Sequence, residues 1–159
     1  MNDASKRTKT VSRRPARVFA MELLYAMEIT GQPVGKCVDG VLGSIREANG
    51  KELDAEMKRY GMLLVDLIQE HRAVLEEIVS SLSKGWELDR MALLDKIILY
   101  IALAEIQYET EIPVKVSIGE AVQMANKFST ENSYRFVNGI LNQFARSKGM
   151  LLDKPEEGK

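Results

Sequence analysis

The chain has 159 residues, 45% of them hydrophobic and 28% charged, with a formal net charge of −1. That length and balance fit one soluble globular domain with its own core and exclude an intrinsically disordered chain. No apolar run reaches the roughly 20 residues of a membrane span. The basic N-terminus lacks the apolar stretch of a secretory signal, and Cys37, the single cysteine, excludes an internal disulfide and agrees with a reducing, cytoplasmic setting.

The average charge hides an asymmetry. Residues 1–17 hold Lys6, Arg7, Lys9, Arg13, Arg14 and Arg17 against Asp3 alone, a local +5 that leaves −6 for the rest. A basic arm on a mildly acidic body points to two surfaces, one for a polyanion and one for a basic protein. The alternative is a merely solvated tail.

Four prolines and a scarcity of alternating β-branched runs point to an all-α protein. Residues 1–12 read as a disordered basic arm. A first helix is expected over residues 14–30, with Ala16, Phe19, Ala20, Leu23 and Met27 at core spacing and Gly31 to end it. A second, weakened by Gly40 and Gly43, follows over residues 34–48. The third carries the longest stripe, from Met57 through Tyr60, Leu64, Leu67, His71, Leu75 and Ile78 to Leu82, and reads as one core helix closed by Gly85.

Asp89 is the expected N-cap of a fourth helix over residues 90–109. Apolar residues cover most of its circumference, so it should be buried on more than one side. After Pro113, Ser117 to Glu120 ("SIGE") matches a capping box opening a helix with Ile118, Ala121, Val122, Ala125 and Phe128 on its core face. A last helix over residues 133–147 presents Phe136, Val137, Ile140, Leu141 and Phe144. The expected organisation is a single domain over 13–150, divided near residue 84 into two helical subdomains (13–84 and 85–150), with a loose polar tail over 151–159.

The catalytic inventory is thin. One histidine and one cysteine cannot build a zinc cluster, which takes about four such ligands. His71 lies on an apolar stripe, and Cys37 has no base beside it in sequence. Glu22, Glu105 and Glu120 fall on separate helices with no spacing that pairs them. No glycine-rich phosphate loop is present, so neither catalytic residues nor a metal or cofactor are expected.

The arginines say more. With Arg13 at 0° on a helical wheel, Arg17 falls near 40°, Arg14 near 100° and Tyr25 near 120°, against roughly 240–320° for the core. Forked guanidinium groups grip phosphates, and an exposed ring stacks on an unpaired base, so this face suits single-stranded RNA. Val18, Met21 and Leu24 share that side, which leaves open that Tyr25 packs against another helix instead. Near the other end, Gly139 interrupts a good amphipathic helix, and close packing of a neighbouring helix is the expected reason. Asn138 beside it would bond a loop backbone, or extend a polar surface with Arg135.

Taken in order, "RRPARVFAMELLY", "LLDKIILYIALAEI", "IPVKVSIGEAVQMANKF" and "SYRFVNGIL" resemble the NusB family of bacterial transcription antitermination factors, over residues 13–147. The resemblance implies an all-helical fold of about seven helices in two subdomains and no enzymatic activity. It implies binding of boxA-type RNA together with NusE, a small-subunit ribosomal protein, within an RNA polymerase elongation complex that holds other Nus factors. Arg13, Arg14 and Arg17 fall on the family's arginine-rich RNA-binding motif, with Pro15 where that motif can carry another arginine. Tyr25 takes its aromatic position. Phe128, Asn132 and Arg135 lie in the segment beside bound RNA, Asn132 standing where an aspartate is also found. Asp95 sits at the acidic position facing NusE.

The related ribosomal RNA cytosine methyltransferases continue into a large catalytic domain for which 159 residues leave no room. Monomer and homodimer both stay open, and a dimer covering the arginines would be a storage form. The competing reading is a helical protein-interaction module whose basic head serves solubility or docks an acidic protein. Because cations oppose the dipole at a helix N-terminus, Arg14→Ala and Arg17→Ala should lower RNA affinity and leave the melting temperature unchanged or slightly higher.

Overall fold

The computed structural model describes residues 12–83 and 88–151, with Asp89 described by its backbone alone. The expected N-terminal arm, the Gly85 stop and most of the polar tail lie outside these residues. Seven α-helices and no strand occur among the described residues: α1 Arg14–Thr30, α2 Val34–Asn49, α3 Ala55–Glu70, α4 Arg72–Leu82, α5 Leu93–Tyr108, α6 Val114–Phe128 and α7 Ser133–Ser147.

The apolar helix α5 organises the others. An unbroken run of its residues from Ile97 to Ile106 is buried, and it packs against α1, α3, α4, α6 and α7. A helix apolar all round has no face for water, so its neighbours must surround it. Around it, α1 packs on α2 and α3, and α6 on α7. Gly31 (φ 72°) and Gly50 (φ 76°) close α1 and α2 in the left-handed conformation that glycine adopts without steric cost.

Three helix boundaries differ from the sequence reading. The long third helix is two, because His71 leaves helical torsions (φ −110°, ψ 22°). Its ring stacks on Tyr108 at 4.1 Å between centroids, and the apolar spacing runs on across the break, hiding it from periodicity. The fourth helix starts after Ala92, with Asp89 in a separate 3-10 turn over Leu88–Arg90. The "SIGE" capping box does not form: Pro113 precedes the first residue of α6, which places Ser117 and Glu120 inside the helix facing α5 and α1.

The glycines also exchange roles. Gly139 has open space around it, so no helix among the described residues packs there. Asn138 accepts from Asn142 Nδ2 on its own helix, through its side chain and carbonyl, rather than bonding a loop. Close approach occurs at Gly61 instead, where α3 crosses α1. A Cβ there would stand 2.5 Å from the Phe19 ring and 2.9 Å from the Ala16 carbonyl oxygen. Gly61→Ala should therefore destabilise the fold by about 1–3 kcal/mol through overpacking. Gly139→Ala should stabilise it by up to about 1 kcal/mol through helix propensity. Urea denaturation of the two variants checks both signs.

Candidate nucleic-acid interface

The three arginines at the head of α1 have three different fates. Arg17 is 3% exposed and points into the molecule. Its Nε donates to Glu105 Oε2 at 2.7 Å and its Nη2 to Oε1 at 3.1 Å. The fully buried Glu105 also accepts from the Tyr60 hydroxyl at 2.7 Å and the Ser117 hydroxyl at 2.6 Å. Both carboxylate oxygens are thus shared between two donors, which is how a charge survives in an apolar core. Burial, then the Glu105 charge, raises the Tyr60 pKa far above its ordinary value.

This corrects the wheel, which placed Arg17 opposite the core. Helix α1 is buried on two sides, and Arg17, Met21 and Leu24 form the second buried row. The arginine is the one charged member of that row, and it meets its partner on α5.

Arg14 lies on the surface, its side chain 49% exposed, in a fork to Glu120 of α6 at 2.8 and 2.9 Å. Hydrogen bonding to Arg14 holds the Glu120 carboxyl below its usual range. Arg17 Nη1 lies 4.0 Å from the same carboxylate, so Glu105 and Glu120, unpaired in sequence, meet through one guanidinium. Arg13 turns the other way. Its guanidinium sits 4.5 Å above the Tyr60 ring and lines a depression with Asp54, Glu56 and Arg59 on the α3 side.

The remaining site residues gather in a second region. Arg14, Lys127 and Phe128 line one depression between α1 and α6, and Phe128 with the 42%-exposed Tyr25 lines a larger one between α1 and α2. Phe128 is their common wall. Asn132 and Asp95 share a third hollow with Arg90, and Asp95 is mostly buried and accepts from the Ser129 hydroxyl at 2.6 Å. Arg135 is exposed and folds over Tyr134. The structure therefore joins Arg14, Phe128 and Tyr25 into one strip, pairs Asp95 with Asn132, and separates Arg13 and Arg17 from both. Lys127 and Lys36 escaped the sequence reading; a lysine next to Phe128 was the signal for the first.

Residues 14–146 match the family model described as the NusB family. The chain is 33% identical over 144 residues to the transcription antitermination protein NusB of Myxococcus xanthus, covering 91% of this chain and 99% of that one. The chain belongs to the NusB family. A solved NusB of T. maritima matches with a TM-score of 0.74 at 27% identity, over 86% of this chain and 92% of that one. Another solved match, at TM-score 0.74 and 21% identity over 85% of this chain and 96% of that one, is a complex of antitermination factors NusB and NusE with double-stranded RNA. Its likeness shows the fold. NusB proteins are antitermination factors rather than enzymes.

In this NusB chain the expectation that both arginine variants spare stability is reversed for Arg17. Arg17→Met should cost about 3–5 kcal/mol, because Glu105 would be left buried without a cation. Arg14→Ala, at the surface, should cost no more than about 1 kcal/mol. Denaturant melts separate the two. A carboxyl with a lowered folded pKa contributes stability above its unfolded value near 4.5 that is lost as pH falls through the folded value. Below pH 4.5 the wild type should therefore lose more stability than Glu120→Gln.

Proposed function

We propose that this protein binds boxA-type single-stranded RNA jointly with NusE and carries the pair into an elongating RNA polymerase complex in the cytoplasm. The observation that carries the reading is the strip from Arg14 past Lys127 and Phe128 to Tyr25. It combines cations with two accessible rings, the pairing that unpaired nucleotides need. The solved complex of NusB and NusE with double-stranded RNA supports NusE and RNA as partners, without bearing on the single-stranded boxA sequence or the polymerase.

Within this reading Arg14 holds phosphate, and Tyr25 and Phe128 stack on bases. Arg17 acts from below by fixing α1, without touching RNA. Asp95, Asn132 and Arg135 extend the surface around the end of α6, with Asp95 at the edge that meets basic NusE. Arg13 and the segment before it supply further phosphate contacts.

Titration with boxA RNA and a scrambled strand, each with and without NusE, tests the proposal. Preference for boxA in the presence of NusE is expected, and equal affinity for both strands would overturn it. The logarithm of affinity should fall with log salt by about 0.7 per phosphate held. Arg14→Ala should reduce that slope by about one contact while the protein stays folded.

A further inference from the structure

The largest hollow on the RNA-facing strip contains a group that phosphate binding does not explain. It is a cavity of about 590 Å³ between α1 and α2, walled by Tyr25 and Phe128 and lined by Met21, Val41 and Leu94. On its wall stands Glu22, one helical turn before Tyr25. The carboxylate is half-buried and makes no hydrogen bond or ion pair among the described residues. Lys36 lines the same cavity but does not come within ion-pair distance. Burial raises the Glu22 pKa, as expected of a carboxyl that has lost water without gaining a cation.

An unpaired carboxylate on a surface that holds a polyanion repels the strand unless it reads a hydrogen-bond donor. A carboxylate presents two acceptor oxygens side by side. Guanine is the one standard base whose Watson–Crick edge carries two adjacent donors, its N1–H and its exocyclic amino group. Adenine and cytosine place an acceptor next to their amino group, and uracil flanks its N–H with two carbonyls. The exposed Tyr25 ring supplies a stacking surface at the mouth, and the apolar lining shields the base from water.

We propose that this cavity takes one unstacked guanine of the bound RNA, held against Tyr25 and read by a two-point hydrogen bond to Glu22. Glu22 is then the residue through which this protein distinguishes guanine from every other base at one position of the strand. The inference rests on the RNA reading above, and the RNA reading does not depend on it.

The experiment compares three strands of equal length by fluorescence anisotropy: one with a single guanosine, the same strand with inosine there, and an all-pyrimidine strand. Inosine lacks only the exocyclic amino group. In each register tried, the guanosine is moved along the strand until affinity is highest. Wild type should bind the guanosine strand about tenfold tighter than the inosine strand, the scale of one hydrogen bond to a charged group. Glu22→Ala, which removes both acceptor oxygens, should abolish the difference and leave affinity for the pyrimidine strand within about twofold, since the removed group holds no phosphate. Circular dichroism confirms that the variant folds. Equal binding of guanosine and inosine strands in every register, with RNA binding intact, overturns the guanine pocket and leaves the RNA reading standing. Discrimination that survives Glu22→Ala also overturns it. Failure to bind any strand overturns both.

Discussion

A carboxylate at the centre of four helices sets the terms for this structure. Glu105 lies on the most apolar helix of the protein, where an unpaired charge would be intolerable. It is made tolerable by Arg17 from α1, Tyr60 from α3 and Ser117 from α6, three neighbours that each supply a donor. The apolar surface of α5 would accept those helices in many rotations and registers. The donors accept few. Hydrophobic burial therefore drives the assembly, and the buried ion pair selects which assembly results.

The same cluster explains why a helix can begin with arginines. Cations at a helix N-terminus oppose its dipole, and α1 has no acid in its first turn. The compensation comes from other helices: Glu105 and Glu120 face the start of α1, and the Tyr60 ring lies under Arg13. The basic head is thus held in place from the protein side before any ligand arrives. Of the three, only Arg14 combines exposure with a position on the aromatic strip, and this divides one sequence motif into a buried arginine, one laid over the Tyr60 ring and one at the surface.

How much of this was legible in the sequence varies by feature. The helices α1, α2 and α7 were readable almost to the residue, because glycine stops and amphipathic spacing are local signals. The burial of α5 followed from its composition. Arg17 was not readable as buried, although Met21 and Leu24 on the same side hinted at a second packed face. Its partner lies 88 residues away, and no periodicity on α1 reports what α5 brings. The break at His71 was hidden because the apolar spacing continues through it. Ser117 and Glu120 satisfied a capping pattern by type, but Pro113 had already started the helix, which freed both side chains for tertiary contacts. Gly139 and Gly61 were indistinguishable as letters; only the crossing of α3 over Phe19 gives one of them a reason. At the candidate site, residue types were legible and their grouping was not, since Tyr25 and Phe128 come together only once α6 packs beside α1.

The buried cluster also bears on the order in which the chain acquires its shape. The donors to Glu105 lie 88, 45 and 12 residues from it along the chain. Ser117 can reach it by closing a short loop, whereas Arg17 must wait for most of the chain to be arranged, and long closures form late for entropic reasons. A collapsed intermediate with α5 already covered but Arg17 absent would hold a dry, unneutralised carboxylate, and its energy would rise accordingly. The Arg17–Glu105 bond is thus the longest closure in the cluster, joining the first helix of the chain to the fifth across 88 residues.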